Sequence, residues 1–283
     1  ASQANARAIA LGHLGYYQTL ARQGHLRFIG TRQDLEAHLQ QVTGQEPAPL
    51  GVVLLMECAD PLLTPREVEE WWQQGVRAVG PAHYGPNVYA HGTGSGGGLT
   101  PPGRELLGYM EQLGMVLDTS HLSERAFWEA VDAYAGPVMA SHSNCRVLAP
   151  GDRQLSDEQL KAIIQRDGVV GIVLEISMLG GGRLQGQAPT PPVDLQRVAD
   201  HIDHICQLAG NARHVGLGTD LDGGFGRERV PRGIDSITDL PRLGEVLARR
   251  GYGTEDIQAV MGGNWVDFWR RNLPAQTSSL AGI

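Results

Sequence analysis

Met115-Val-Leu-Asp118, running into Thr-Ser-His121, and Pro137-Val-Met-Ala140, running into Ser-His142-Ser-Asn144, are two short apolar runs that each lead to a histidine. Between them, Ser123-Glu-Arg-Ala-Phe-Trp-Glu-Ala-Val-Asp-Ala-Tyr-Ala-Gly136 offers a capping serine, an acidic first turn and a glycine where a helix is expected to stop. The pattern is strand, helix, strand. Two buried strands joined by one helix normally run parallel, so His121 and His142 are expected to leave the same sheet edge side by side. Two imidazoles placed that way point to a metal.

The alternation extends in both directions. Residues 1–50 read as mostly helical, and Gly51-Val-Val-Leu-Leu-Met-Glu57 as one buried strand ending in a carboxylate. Thr64-Pro65-Arg-Glu67 predicts a capping-box helix start running to Gly75, followed by a strand, Val76–Gly80, and a glycine-rich loop holding His83 and His91. Thr100-Pro101 opens a helix ending at Gly114. Ser156-Asp-Glu-Gln159 is a second capping box, its helix stopping at Gly168 before the Val169–Leu174 strand. Leu195, Val198, Ile202 and Ile205 mark one face of a helix ending at Gly210, and His214–Asp220 is the last strand. This is the βα repeat of an α/β fold. At 283 residues, a single (β/α)8 TIM-type barrel domain over 1–283 is expected. Six strands are read where a closed barrel takes eight, and the missing first strands are expected ahead of residue 1. Barrel sites form at strand C-terminal ends, and those ends carry Glu57, His83, His121, His142 and Asp220.

Composition narrows the partners. The chain is 41% hydrophobic and 19% charged with a net charge of −8, which argues against nucleic acid or an anionic membrane surface. No apolar stretch approaches the roughly 18 residues of a spanning helix. The N-terminus lacks the basic-then-apolar pattern of a signal peptide, and three scattered cysteines favour a reducing compartment, so a cytoplasmic location is expected. A homodimer is compatible with the sequence.

Other motifs compete. Gly92-Thr-Gly94-Ser-Gly-Gly97 fits G-x-G-x-x-G but sits in mid-loop, without the strand-turn-helix succession a dinucleotide site requires. His201 and His204 lie three apart on a helix and read as flank histidines or as a metal pair lacking a third ligand. Cys145 has no partner base that would make it a nucleophile, and the five tryptophans fall in helical segments.

Taken together, Asp118-Thr-Ser-His121, Ser141-His142-Ser-Asn144, Asp152-Arg153-Gln-Leu-Ser-Asp157, His201-Ile-Asp-His204-Ile and Gly218-Thr-Asp220-Leu-Asp-Gly223 resemble the membrane (renal) dipeptidase family, zinc-dependent dipeptidases of the amidohydrolase superfamily with a TIM-barrel fold. The likeness runs from about Val52 to Asn264. It implies that Glu57 bridges two zinc ions, that His121 and His142 complete the second, that Asp220 lies beside the metal-bound water, that His83 contacts substrate and that Arg153 holds the dipeptide carboxylate. Cys58 stands where the family usually has Gly, and Gln154 where it has Asn. The surroundings of His83 differ from the family's, leaving His91 as an alternative for that role. The family's first-zinc His-x-Asp pair does not occur before Glu57.

The expected function is therefore metal-assisted dipeptide hydrolysis: a zinc-activated water, Asp220 as proton acceptor and donor, Arg153 as carboxylate fork and His83 at the oxyanion. The alternatives are a catalytically silent ligand-binding barrel and a hydrolase of another small amide, such as an N-acyl amino acid. Glu57, His121 and His142 are expected to hold one zinc firmly, and Glu57 with Asp220 as metal ligands the second only weakly.

Overall fold

The computed structural model describes residues 2–44, 47–180 and 193–276, and the chain divides into two compact units, Ala1–Pro137 with Trp269–Ile283, and Val138–Phe268. In chain order the elements are α1 (Gln3–Arg22), β1 (Leu26–Phe28), α2 (Arg32–Val42), β2 (Leu50–Val52), β3 (Leu54–Met56), α3 (Val68–Gln73), β4 (Val76–Val79), α4 (Pro101–Leu113), β5 (Val116–Asp118), α5 (Glu124–Ala133), β6 (Val138–Met139), α6 (Asp157–Gln165), β7 (Val170–Ile172), α7 (Leu195–Ala209), β8 (Val215–Leu217), α8 (Pro241–Arg249), α9 (Thr254–Gln258) and α10 (Asn264–Asn272).

In the first unit β1 pairs parallel with β2, and β3, β4 and β5 pair parallel in sequence. The single strand expected over 51–57 is thus two. The chain changes partner at Val53, and a register shift between Leu54 and Leu55 marks the change. β1 lies inside the stretch read as helical. At three residues it is too short for its alternation to show against the long helices on either side. Thr31 caps α2 in a full capping box with Asp34, a feature worth about 1 kcal/mol. A small core of Ile29, Leu35 and Leu273, with Leu39, Val53 and Trp269 packed against it, closes that end of the unit.

Three other boundaries moved. At Thr64-Pro65 there is a short 3-10 turn, Pro65–Glu67, before α3, and Thr64 makes no side-chain cap bond. The Glu67 carboxylate is engaged instead by Leu63 N and the Arg7 guanidinium. Helix α5 stops at Ala133 rather than at Gly136, because Tyr134 turns inward and its hydroxyl donates to the Met115 carbonyl. Helix α6 stops at Gln165, short of the expected Gly168, because Asp167 takes the left-handed conformation at φ +51° and Gly168 N turns back to Ile163 O. The remaining caps hold. Ser123 caps α5, Ser156 and Gln159 form their box on α6, and α4 and α7 end at Gly114 and Gly210.

In the second unit Ala140 at the end of β6 bridges in parallel to Val170, and β7 pairs parallel with β8. These strands touch closely: a Cβ on Gly218 would lie 2.0 Å from the Ser141 carbonyl oxygen, so only glycine fits beside the backbone that carries His142. Leu195, Val198, Ile202 and Ile205 are buried as their spacing requires, covering the sheet with one face of α7. α10 begins against β8, with Asn264 Nδ2 donating to Ala212 O and Val215 O and Trp265 Nε1 to Leu217 O. Among the described residues no helix is long and apolar enough to cross a membrane.

Candidate functional site

Parallel strands put their C-terminal ends on one side, and in the first unit those ends bring three predicted residues together. Glu57 follows β3, His121 follows β5, and His83 lies in the loop after β4. Glu57 Oε1 is 3.1 Å from His121 Nε2 and 3.7 Å from His83 Nε2. The His83 and His121 rings are tilted at 46° with centroids 4.2 Å apart. His121 is buried, at 5% exposure, while Glu57 and His83 are nearly half exposed. A carboxylate and two imidazoles converging at the edge of solvent are the donor types that hold a divalent metal such as zinc.

The loop from 81 to 99 fixes this geometry. Thr93 N donates to His83 O at 3.0 Å and to His121 O at 2.8 Å, and Thr93 Oγ1 also reaches His121 O. One residue therefore ties both histidine backbones. Gly92 makes that possible, because a Cβ there would lie 1.8 Å from the His83 carbonyl oxygen. The glycines of the G-x-G-x-x-G match thus serve loop packing, and no helix follows them until Pro101. The His91 ring packs on Gly97 and its carbonyl accepts from Ser123 N, so His83 is the loop histidine at Glu57. Cys58 Sγ donates to Asn87 Oδ1 at 3.3 Å, and burial pushes its thiol up to about 12, which keeps it protonated at neutral pH.

In the second unit His142 follows β6, is buried, and its Nδ1 lies 2.7 Å from Ser141 Oγ. Arg153 is buried beside it, donating from one terminal nitrogen to His142 O at 2.8 Å and from the other to Ser143 Oγ at 3.1 Å. Asn144 closes the same turn, its amide bonded to Val173 and Met178 carbonyls and its oxygen to Val173 N. Asp220 leaves β8 with φ at +56°, in the left-handed region where a non-glycine residue is uncommon and often functional. Its carbonyl accepts from Gly223 N, which accounts for the Asp-x-x-Gly spacing.

Other candidates resolve into structural roles. His201 Nδ1 accepts from Cys145 N at 3.1 Å, whereas His204 Nε2 meets Asp157 Oδ1 at 2.7 Å, so the two imidazoles serve different partners. Cys145 is fully buried and its thiol is pushed upward by burial. Two residues escaped the sequence reading. Tyr84 sits edge-on to His83 with centroids 4.8 Å apart, and Glu175, after β7, is buried and paired with Arg229. The position of Glu175 one residue past the Val169–Leu174 run was the available signal for it.

A model of the membrane dipeptidase family matches residues 3–279. An uncharacterized dipeptidase of Schizosaccharomyces pombe is 30% identical over 212 residues, covering 73% of this chain and 49% of that protein, so the chain spans about half its length. A crystallised dipeptidase AC, a metallopeptidase of family M19, superposes with a TM-score of 0.83 at 27% identity over 96% of this chain and 79% of its own. A Rhodobacter sphaeroides metallopeptidase liganded with a phosphinate mimic of the dipeptide L-Ala-D-Ala gives 0.81 at 28% identity, over 96% of this chain and 76% of its own. The parallel α/β architecture is accordingly of the TIM-barrel type that these structures share. With that match across nearly its whole length, the chain belongs to the membrane dipeptidase family, peptidase family M19, whose members are metal-dependent dipeptidases.

Proposed function

We propose that this chain hydrolyses dipeptides with zinc, for which Glu57 and His121 are ligands and His142 is the further ligand that the family resemblance implies. The observation that carries the reading is the approach of Glu57 Oε1 to His121 Nε2, with His83 beyond it, in a member of a dipeptidase family. When bound, zinc supplies a Lewis acid for the scissile carbonyl and lowers the pKa of a water towards ~7. Asp220 accepts the proton of the attacking water and returns it to the leaving amine nitrogen. His83 donates to the oxygen on which negative charge develops. Arg153 pairs the free carboxylate of the substrate, which favours short substrates with a free C-terminus. Glu57 is also the group that a second zinc would share. Without an imidazole of its own that ion would be held weakly, since zinc takes nitrogen donors alongside oxygen.

Zinc analysis after dialysis, together with dipeptide and N-acyl amino acid hydrolysis by the zinc-loaded protein, tests the reading. One firmly held zinc per chain, lost in Glu57→Gln and in His121→Asn, with dipeptides cleaved and N-acyl amino acids spared, is the expected result. Chelation should abolish turnover and added zinc restore it. A wild-type protein that holds zinc but cleaves neither substrate class would instead be a binding barrel.

A further inference from the structure

Tyr84 is 57% exposed, although it stands beside a histidine that is buried. Its ring meets His83 edge-on at 89° and 4.8 Å, and His121 at 67° and 5.2 Å. An aromatic ring held open to solvent next to three metal-type donors is not filling the core. Its backbone is fixed: Tyr84 bridges to Thr93, Gly85 N donates to Thr93 O at 2.8 Å, and Asn87 Nδ2 donates to Tyr84 O. Thr93 is the same residue that sets the His83 and His121 backbones, so one residue holds the backbones of Tyr84 and both histidines.

We propose, resting on the dipeptidase reading, that Tyr84 determines specificity: its open face is the apolar wall for the side chain of the substrate's N-terminal residue. The scissile carbonyl belongs to that residue and must come to Glu57 and His121. The side chain branches from the adjoining carbon, one bond away, which brings it to the neighbouring Tyr84. A tyrosine with two torsions offers a large contact area at little entropic cost, and its negative face favours apolar and aromatic side chains over carboxylates.

The test uses zinc-loaded wild type, Tyr84→Phe and Tyr84→Ala on Leu-Ala, Phe-Ala and Gly-Ala. Tyr84→Ala should lose about tenfold in kcat/KM on Leu-Ala and Phe-Ala and about twofold or less on Gly-Ala, because only the larger side chains lose buried apolar contact. Tyr84→Phe should match wild type on all three. Inhibition by phosphinate dipeptide mimics should follow the same split, with the leucine-side-chain mimic weakened about tenfold and the glycine one unchanged. Zinc content should be equal in all three proteins. Equal losses on Leu-Ala and Gly-Ala would overturn the proposal. So would a Tyr84→Phe protein that behaves like Tyr84→Ala, or loss of zinc from Tyr84→Ala, which would assign the ring to packing the histidines. A wild type that cleaves no dipeptide removes the dipeptidase reading itself, and this inference with it.

Discussion

Glu175 Oε1 accepts the guanidinium of Arg229 at 2.7 Å, joining the exit of β7 to the end of the segment that follows Asp220. Backbone bonds flank the pair: Leu174 N donates to Thr219 O and Ile176 N to Arg229 O, so three consecutive residues grip both ends of that segment. The other carboxylate oxygen accepts from Ser177 N, Ser177 Oγ and Met178 N, which is why a buried charge is tolerated there. The Asp220 loop is therefore anchored by charge as well as by backbone.

Replacing Glu175 with Gln should cost about 1–2 kcal/mol in urea unfolding, since a charge-assisted bond from a half-exposed arginine is lost. Arg229→Gln should cost less, and the double variant less than the sum of the two. kcat on dipeptides should fall in both single variants through the loosened Asp220. Additive stability losses would show that the two residues do not act on each other.

Gly92→Ala should be among the most damaging single changes to the first unit. The added Cβ meets a backbone oxygen at 1.8 Å, and no side-chain rotation relieves that clash, so a loss of about 3 kcal/mol or more is expected. Gly96→Ala is the matched control, because a Cβ there meets nothing within 4 Å. Thermal unfolding of the two variants checks the contrast. Zinc affinity should fall with Gly92→Ala and hold with Gly96→Ala.

Strand exits were legible in the sequence because chemistry and periodicity coincide there. Short apolar runs end in Glu57, His121, His142 and Asp220, and capping residues open α4, α5 and α6 where expected. What stayed hidden depends on contacts distant in sequence. β1 is three residues long and is recognisable only by its pairing with β2. Glu67 looks like a capping-box partner until Arg7, sixty residues earlier, is seen to take its carboxylate. The choice between His83 and His91 could not be made from spacing, because the loop folds back on itself through Thr93 and Gly92.

Acid should weaken the second unit through His201. Burial, reinforced by the Arg197 charge, pushes its imidazole down to about 4, and its Nδ1 must stay unprotonated to accept from Cys145 N. In the unfolded chain the same group titrates near ~6.5. Between those values the unfolded state binds the extra proton, so this contribution is complete above pH ~6.5 and is lost as pH falls towards ~4. The gap corresponds to at most about 3 kcal/mol. Urea midpoints measured from pH 7 to 4.5 should fall more steeply for wild type than for His201→Asn. Parallel slopes would remove His201 as the cause.

Arg153 carries two duties in this reading. Its guanidinium already donates to the His142 carbonyl and to Ser143 Oγ, so it shapes the turn that presents a proposed zinc ligand. The same planar fork matches a carboxylate with two parallel bonds, which lysine cannot reproduce. Arg153→Lys keeps the charge and loses the fork. If Arg153 holds the substrate, kcat/KM should fall about a hundredfold on dipeptides with a free C-terminus and far less on their C-terminal amides, with most of the loss in KM. If it only positions His142, the losses on acid and amide will be equal and zinc content will drop with them. Kinetics on the paired substrates, run beside zinc analysis of the same preparation, separates the two duties.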